Sequence, residues 1–172
     1  MKYIPILFNP EMVAAIMDGR KIMTRRIAKE GFQSKVPCHT GDILWVRETW
    51  AQFCINKNTC RNALLSHDDY CYKAGPDVCI DEFGCSWHPS IHMPKEAARI
   101  FLRVTDVFLQ HVNPIKPIHA QWEGAKDVAD FARIWDSTIP KDKLDQYGYD
   151  ADPWVWVIMF ERIPKPEGWP NA

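Results

Sequence analysis

The chain has 172 residues, 47% of them apolar and 25% charged, which is enough to bury a core and excludes a disordered chain. Lysine and arginine number 21 against 22 aspartates and glutamates, so the net charge of −1 excludes whole-molecule attraction to nucleic acid, and any basic footprint must be local. No apolar run reaches the roughly 18 residues of a membrane helix. Met1 to Pro5 is too short and mixed for a secretory signal, so a cytoplasmic protein with reduced cysteines and no membrane partner is expected.

In chain order, Tyr3 to Phe8 reads as a short strand. Asn9 then offers an N-cap, Pro10 takes the first helical position, Met12, Val13, Ile16 and Met17 recur at helical spacing, and Gly19 stops the helix, which predicts 10–18. Arg20 to Lys29 carries five basic residues in ten. Residues 41–48 read as a turn feeding a strand, and 99–109 as a strand rich in β-branched and aromatic side chains. Short helices are expected near 117–124 and at 126–136, the second with Val128, Phe131, Ile134 and Trp135 on one stripe. The apolar run Pro153 to Phe160 predicts a strand covered on both faces. Between Trp50 and Ser86 the pattern dissolves, only Tyr70 to Lys73 reads as a strand, and three prolines make 164–172 an irregular tail. Strands that outnumber helices and return on one another predict a mainly β, α+β architecture: a small barrel with helices over its ends and a loop excursion at 51–85.

Gly19-Arg20-Lys21-x-x-Thr24-x-Arg26 resembles the opening of an ASCH domain, of the PUA-like superfamily. Gly41-Asp42-x-Leu44-Trp45-Val46, the strand from Ile100 to Val107, Ala120-x-x-Glu123-Gly124 and Trp154 to Phe160 resemble the later blocks in order. Trp45-Val-Arg-Glu-Thr-Trp50 and Trp87 to Pro94 are similar to the longer phage and prophage members. The resemblance implies a single PUA-like domain over 1–163, with a cleft for RNA or a modified nucleoside. A shorter relative in this fold hydrolyses N4-acetylcytidine; its catalytic lysine and threonine match Lys21 and Thr24, and its glutamate falls on Glu123. The implied alternative is a non-catalytic RNA- or nucleotide-binding regulatory module of phage or prophage origin.

Chemistry supports the same residues. Amide hydrolysis needs a nucleophile, a base and an acid for the departing nitrogen. Thr24 can be the first and Lys21 the second, if burial and Arg20, Arg25 and Arg26 depress its pKa, while Glu123 can pass a proton. Lys21 and Thr24 are three apart, so they converge only if the backbone turns just after Gly19. A solvated basic edge strand is the plainer account of the same stretch. Arg20, Arg25 and Arg26 suit phosphate oxygens, and Trp45, Trp50 and Trp87 offer stacking faces, Trp45 being the most core-like. Arg47 and Glu48 point to opposite faces of their strand, so only one can look into a cleft. Glu48 could accept from a base amine or simply form an ion pair. His92 is either a cleft donor or a structural histidine. The cysteine gaps, with His88-x-x-x-His92, match no zinc pattern. No metal or cofactor is therefore expected, and a zinc-stapled interaction domain rests on the cysteines alone.

Overall fold

The structure is a computed structural model and describes residues 1–28, 36–52, 70–75 and 86–170. Its strands are β1 (Tyr3–Leu7), β2 (Met23–Ile27), β3 (Ile43–Arg47), β4 (Trp50–Gln52), β5 (Tyr70–Tyr72), β6 (Phe101–His111) and β7 (Trp154–Ile163). Its α-helices are α1 (Pro10–Met17), α2 (Pro117–Trp122), α3 (Val128–Ser137) and α4 (Leu144–Tyr147), with single 3₁₀ turns at Ser90–His92 and Lys141–Lys143. A five-stranded mixed sheet has the order β1-β3-β6-β7-β2, and β4 pairs with β5 in a two-stranded sheet. β1 runs parallel to β3 with Tyr3 opposite Ile43, and β2 antiparallel to β7 with Thr24 opposite Ile158. The fold is thus mainly β with short helices. Among the described residues the strands form no closed barrel: alternation of side chains reports which face of a strand is covered, not whether the last strand pairs with the first. No described helix is long and apolar enough to cross a membrane.

The chain divides into two compact units. The first comprises Met1–Lys2, Ala15–Asp42 and Arg103–Glu161. Its core gathers Met23 of β2, Val155 and Val157 of β7, Val112, and Phe131 and Trp135 of α3, with Val128 and Ile134 packed partly buried against them. α3 begins where Asp127 accepts from the Asp130 amide at 2.8 Å, one of the orphan donors of a helix start. In β7, Val155, Val157, Ile158 and Phe160 are buried, but Trp154 is 41% exposed, so covering on both faces fails at the strand's first residue.

The second unit comprises Tyr3–Ala14, Ile43–Leu102 and Arg162–Ala172. Asn9 caps α1 by accepting from the Met12 amide at 2.8 Å. The core holds Ile43, Trp45, Tyr72, Met93, Ala97, Ala98, Phe101 and Trp169. Trp169 lies in the proline-rich tail. Its backbone is irregular, but its indole is buried against Tyr3, Trp45 and Phe101 and donates to the Lys95 carbonyl at 3.1 Å.

Candidate functional site

The site is built from two glycine-dependent turns of the first unit. Gly19 has φ +75°, a conformation that costs a side-chain-bearing residue about 1–2 kcal/mol. From there the chain folds back, and the Lys21 amide donates to the Ala15 carbonyl at 2.9 Å. Lys21 therefore precedes β2, which starts at Met23, and does not share a regular strand with Thr24. The end of α2 meets this turn: the Ile22 amide donates to the Trp122 carbonyl at 2.9 Å. Gly124 has φ +89°, and a Cβ there would stand 3.0 Å from the Ala15 Cβ and 3.5 Å from that of Lys21. Only glycine lets the residue after Glu123 lie this close to the lysine turn.

Lys21 and Glu123, 102 positions apart in sequence, meet here. Lys21 Nζ donates to Glu123 Oε2 at 2.8 Å and to its backbone carbonyl at 2.7 Å, while Arg25 Nη1 donates to Oε1 at 2.9 Å. Side-chain exposures are 2%, 7% and 1% for Lys21, Glu123 and Arg25. Thr24 is buried on β2, but as the strand neighbour of Arg25 it starts from the opposite face to the guanidinium that reaches Glu123. The Arg25 guanidinium lies over the Phe131 ring, 5.6 Å from its centroid, and its Nε and Nη2 are buried without a hydrogen-bond partner.

Burial pulls the Lys21 amine below the usual lysine range; Glu123 opposes this, and Arg26 and Arg25 add to it. Arg26 is exposed to solvent, yet enough protein surrounds its guanidinium to disfavour the charge, against the pull of Glu123. His119, one helical turn before Glu123, is held below the usual histidine range by desolvation first and then by Arg25 and Lys116. The Glu123 carboxylate is thus shared by Lys21 and Arg25, with a weakly basic imidazole nearby.

The other expected residues lie elsewhere. Arg20 is exposed and pairs with Asp18 at 3.1 Å. Trp45, Arg47, Glu48, Trp50 and His92 belong to the second unit. Trp45 is buried against Trp169, and Arg47, two residues on and on the same face, lies over its ring at 5.6 Å while donating through Nη2 to the Ile91 carbonyl. Glu48 is 1% exposed and is gripped by Arg99, Nε to Oε1 at 2.9 Å and Nη2 to Oε2 at 3.0 Å. Trp50 is half-buried, its ring 4.9 Å from His88 and 5.6 Å from Tyr70. His92 is exposed at the end of a 3₁₀ turn. Arg99 and His119 were not legible as site-related. For His119 the spacing to Glu123 on one helix face was the available signal; for Arg99, 51 positions from its partner, there was none.

Among the described residues no group of three or more His, Cys, Asp or Glu side chains is placed to hold a metal ion. Cys38 is a free, buried thiol pushed up to about 11 by burial and Asp42. Cys71 is disulfide-bonded, which corrects the expectation of reduced thiols throughout; gaps in sequence do not show which cysteines meet in space. Of the 51–85 excursion, 53–69 and 76–85 lie outside the described residues.

No protein-family model matches the sequence, and no curated protein does. Solved structures do match. An ASCH domain from Lactobacillus crispatus JV V101 superposes with a TM-score of 0.54 at 11% identity, covering 95% of this chain and 81% of that one. Protein EF3133 from Enterococcus faecalis V583, of the DUF984 family, gives 0.51 at 12% identity, covering 95% and 76%. At such identity the likeness is one of architecture: the chain has the fold of an ASCH domain.

Proposed function

We propose that residues 1–163 act as one ASCH-type domain that binds RNA or a modified nucleoside beside Lys21, Thr24 and Glu123 and hydrolyses an acylated base amine. The observation that carries this reading is the buried Lys21–Glu123 pair at 2.8 Å, with the lysine pKa depressed and a buried hydroxyl on the adjoining strand. In the proposed reaction Thr24 Oγ attacks the acyl carbon as neutral Lys21 takes its proton, which requires the long Lys21 side chain to reach past the start of β2 to the face that carries Thr24. The tetrahedral carbon then expels the base amine, which receives a proton by way of Lys21 and Glu123. Water, deprotonated by the same pair, cleaves the acyl-threonine and releases a carboxylate, restoring the hydroxyl.

A second reading is a non-catalytic binding module, of the phage or prophage regulatory kind that the tryptophan-rich blocks resemble. It is favoured by Lys21 donating to two Glu123 oxygens at 2.7 and 2.8 Å, an arrangement that suits an ammonium, which binds but cannot act as a base. Hydrolysis of N4-acetylcytidine by wild type and Lys21→Ala separates the two. The hydrolase reading expects release of acetate and cytidine, slowed about 10²–10⁴-fold in the variant. Binding of the nucleoside or of RNA without turnover supports the second reading, and failure to bind either overturns both.

A further inference from the structure

Arginine's Nε and Nη2 form one edge of the guanidinium, spaced to meet two oxygens of a single anion. In the second unit this edge of Arg99 grips Glu48, with both bonds made at 2.9 and 3.0 Å. In the first unit the same edge of Arg25 is buried and has no hydrogen-bond partner. Arg25 spends only Nη1, on Glu123 Oε1 and, at 3.4 Å, on the Met23 sulfur. A buried donor left unanswered bears its whole desolvation penalty, so an acceptor that reaches it gains more than one meeting a solvated arginine. Charge points the same way. Lys21 and Arg25 both reach the Glu123 carboxylate, so an anion at the open edge of Arg25 would sit beside positive charge.

We propose that the Nε/Nη2 edge of Arg25 is an anion-binding site that takes two oxygens of a carboxylate or phosphate group beside the Lys21–Glu123 pair. The assignment deepens the function proposed above and rests on it for the ligand's source: the carboxylate released from an acylated amine, or the phosphate of a nucleotide. The edge is shut off from solvent in this structure, with the guanidinium over Phe131, so an anion enters only when a neighbouring side chain gives way.

The test uses the full chain with sodium acetate and inorganic phosphate as separate probes, against chloride at equal ionic strength. The Arg25 ¹⁵Nε–¹Hε signal is followed together with the unfolding midpoint. A shifted Arg25 signal and, at about 100 times Kd, a midpoint raised by roughly 5–10 °C support the site. The active probe, acetate or phosphate, identifies the source. Arg25→Lys keeps the charge but not the fork and should weaken binding at least about tenfold, while Arg103→Ala, in an exposed pair, should leave it unchanged. An Arg25 signal indifferent to both anions overturns the proposal, as does undiminished binding in a folded Arg25→Lys protein. Because neither probe is acylated, hydrolysis of N4-acetylcytidine without an anion response sinks the edge alone. An anion response without hydrolysis supports the edge and sinks the hydrolase.

Discussion

Glu48 and Glu123 are both buried and both held by arginine, but they are answered differently. Glu48 meets one guanidinium in a complete fork, and that Arg99 guanidinium stacks over Tyr72 at 4.0 Å. Glu123 is shared between Lys21 and Arg25, and the arginine keeps two donors unsatisfied. A closed pair holds backbone segments in place and has no capacity left for a ligand. A crowded one, with more cation than carboxylate, pays in stability for groups displaced from their ordinary protonation, which is where chemistry concentrates.

The sharpest way to break this contrast is to remove one member of each system. Under the proposed function Lys21→Ala should cost about 10²–10⁴-fold in amide hydrolysis, whereas Arg99→Ala should leave hydrolysis near wild type. Arg99→Ala should instead destabilise the fold by about 3 kcal/mol, because Glu48 is left charged and buried. A thermal melt would show that as a fall of roughly 6–12 °C, and an unchanged midpoint would make the Glu48 fork ornamental.

The pH profile sharpens the same contrast. In the proposed hydrolysis Lys21 acts when neutral, so activity should rise with pH through its lowered pKa. Glu123 raises that pKa, so Glu123→Gln should move the rising limb to lower pH while reducing the maximum rate; a limb moving upward would contradict the assignment. The stability sign follows too. Lys21's folded pKa lies below its unfolded value of about 10.4. Its contribution is therefore complete above that value and is lost as pH falls through the depressed one.

Gly124→Ala should cost about 1–2 kcal/mol for its left-handed backbone alone, and by pressing on Ala15 and Lys21 it should lower activity more than a distant substitution of equal cost. The smallest effect expected is on RNA. Arg26 is exposed, so Arg26→Ala should flatten the salt dependence of binding by about 0.7 in log–log slope, one phosphate contact.

The sequence was most readable where local chemistry decides. Asn9, Pro10 and Gly19 announced α1, and the Phe131–Trp135 stripe announced a buried helix face. The turn just after Gly19 was also legible, because residues three apart, such as Lys21 and Thr24, cannot share one face of a regular strand. Sequence was mute about partners that meet only after folding. Arg99 gave no sign that it would take Glu48, and Trp169, alone among prolines, had no periodicity to mark it as core. β2 was hard to separate from a solvated basic edge because arginines usually face water; here Arg25 turns inward and only Arg26 outward.

The six-residue helix α2 is capped by Glu123, the residue Lys21 grips twice, once by carboxylate and once by main-chain carbonyl. Short helices fray first at their ends, at a fraction of the cost of global unfolding. Loss of the last turn would release both acceptors together, and the lysine would lose its anchor while the β-sheet stayed whole. Heat should therefore silence the site before it melts the molecule, making α2 a fuse within a sturdier frame.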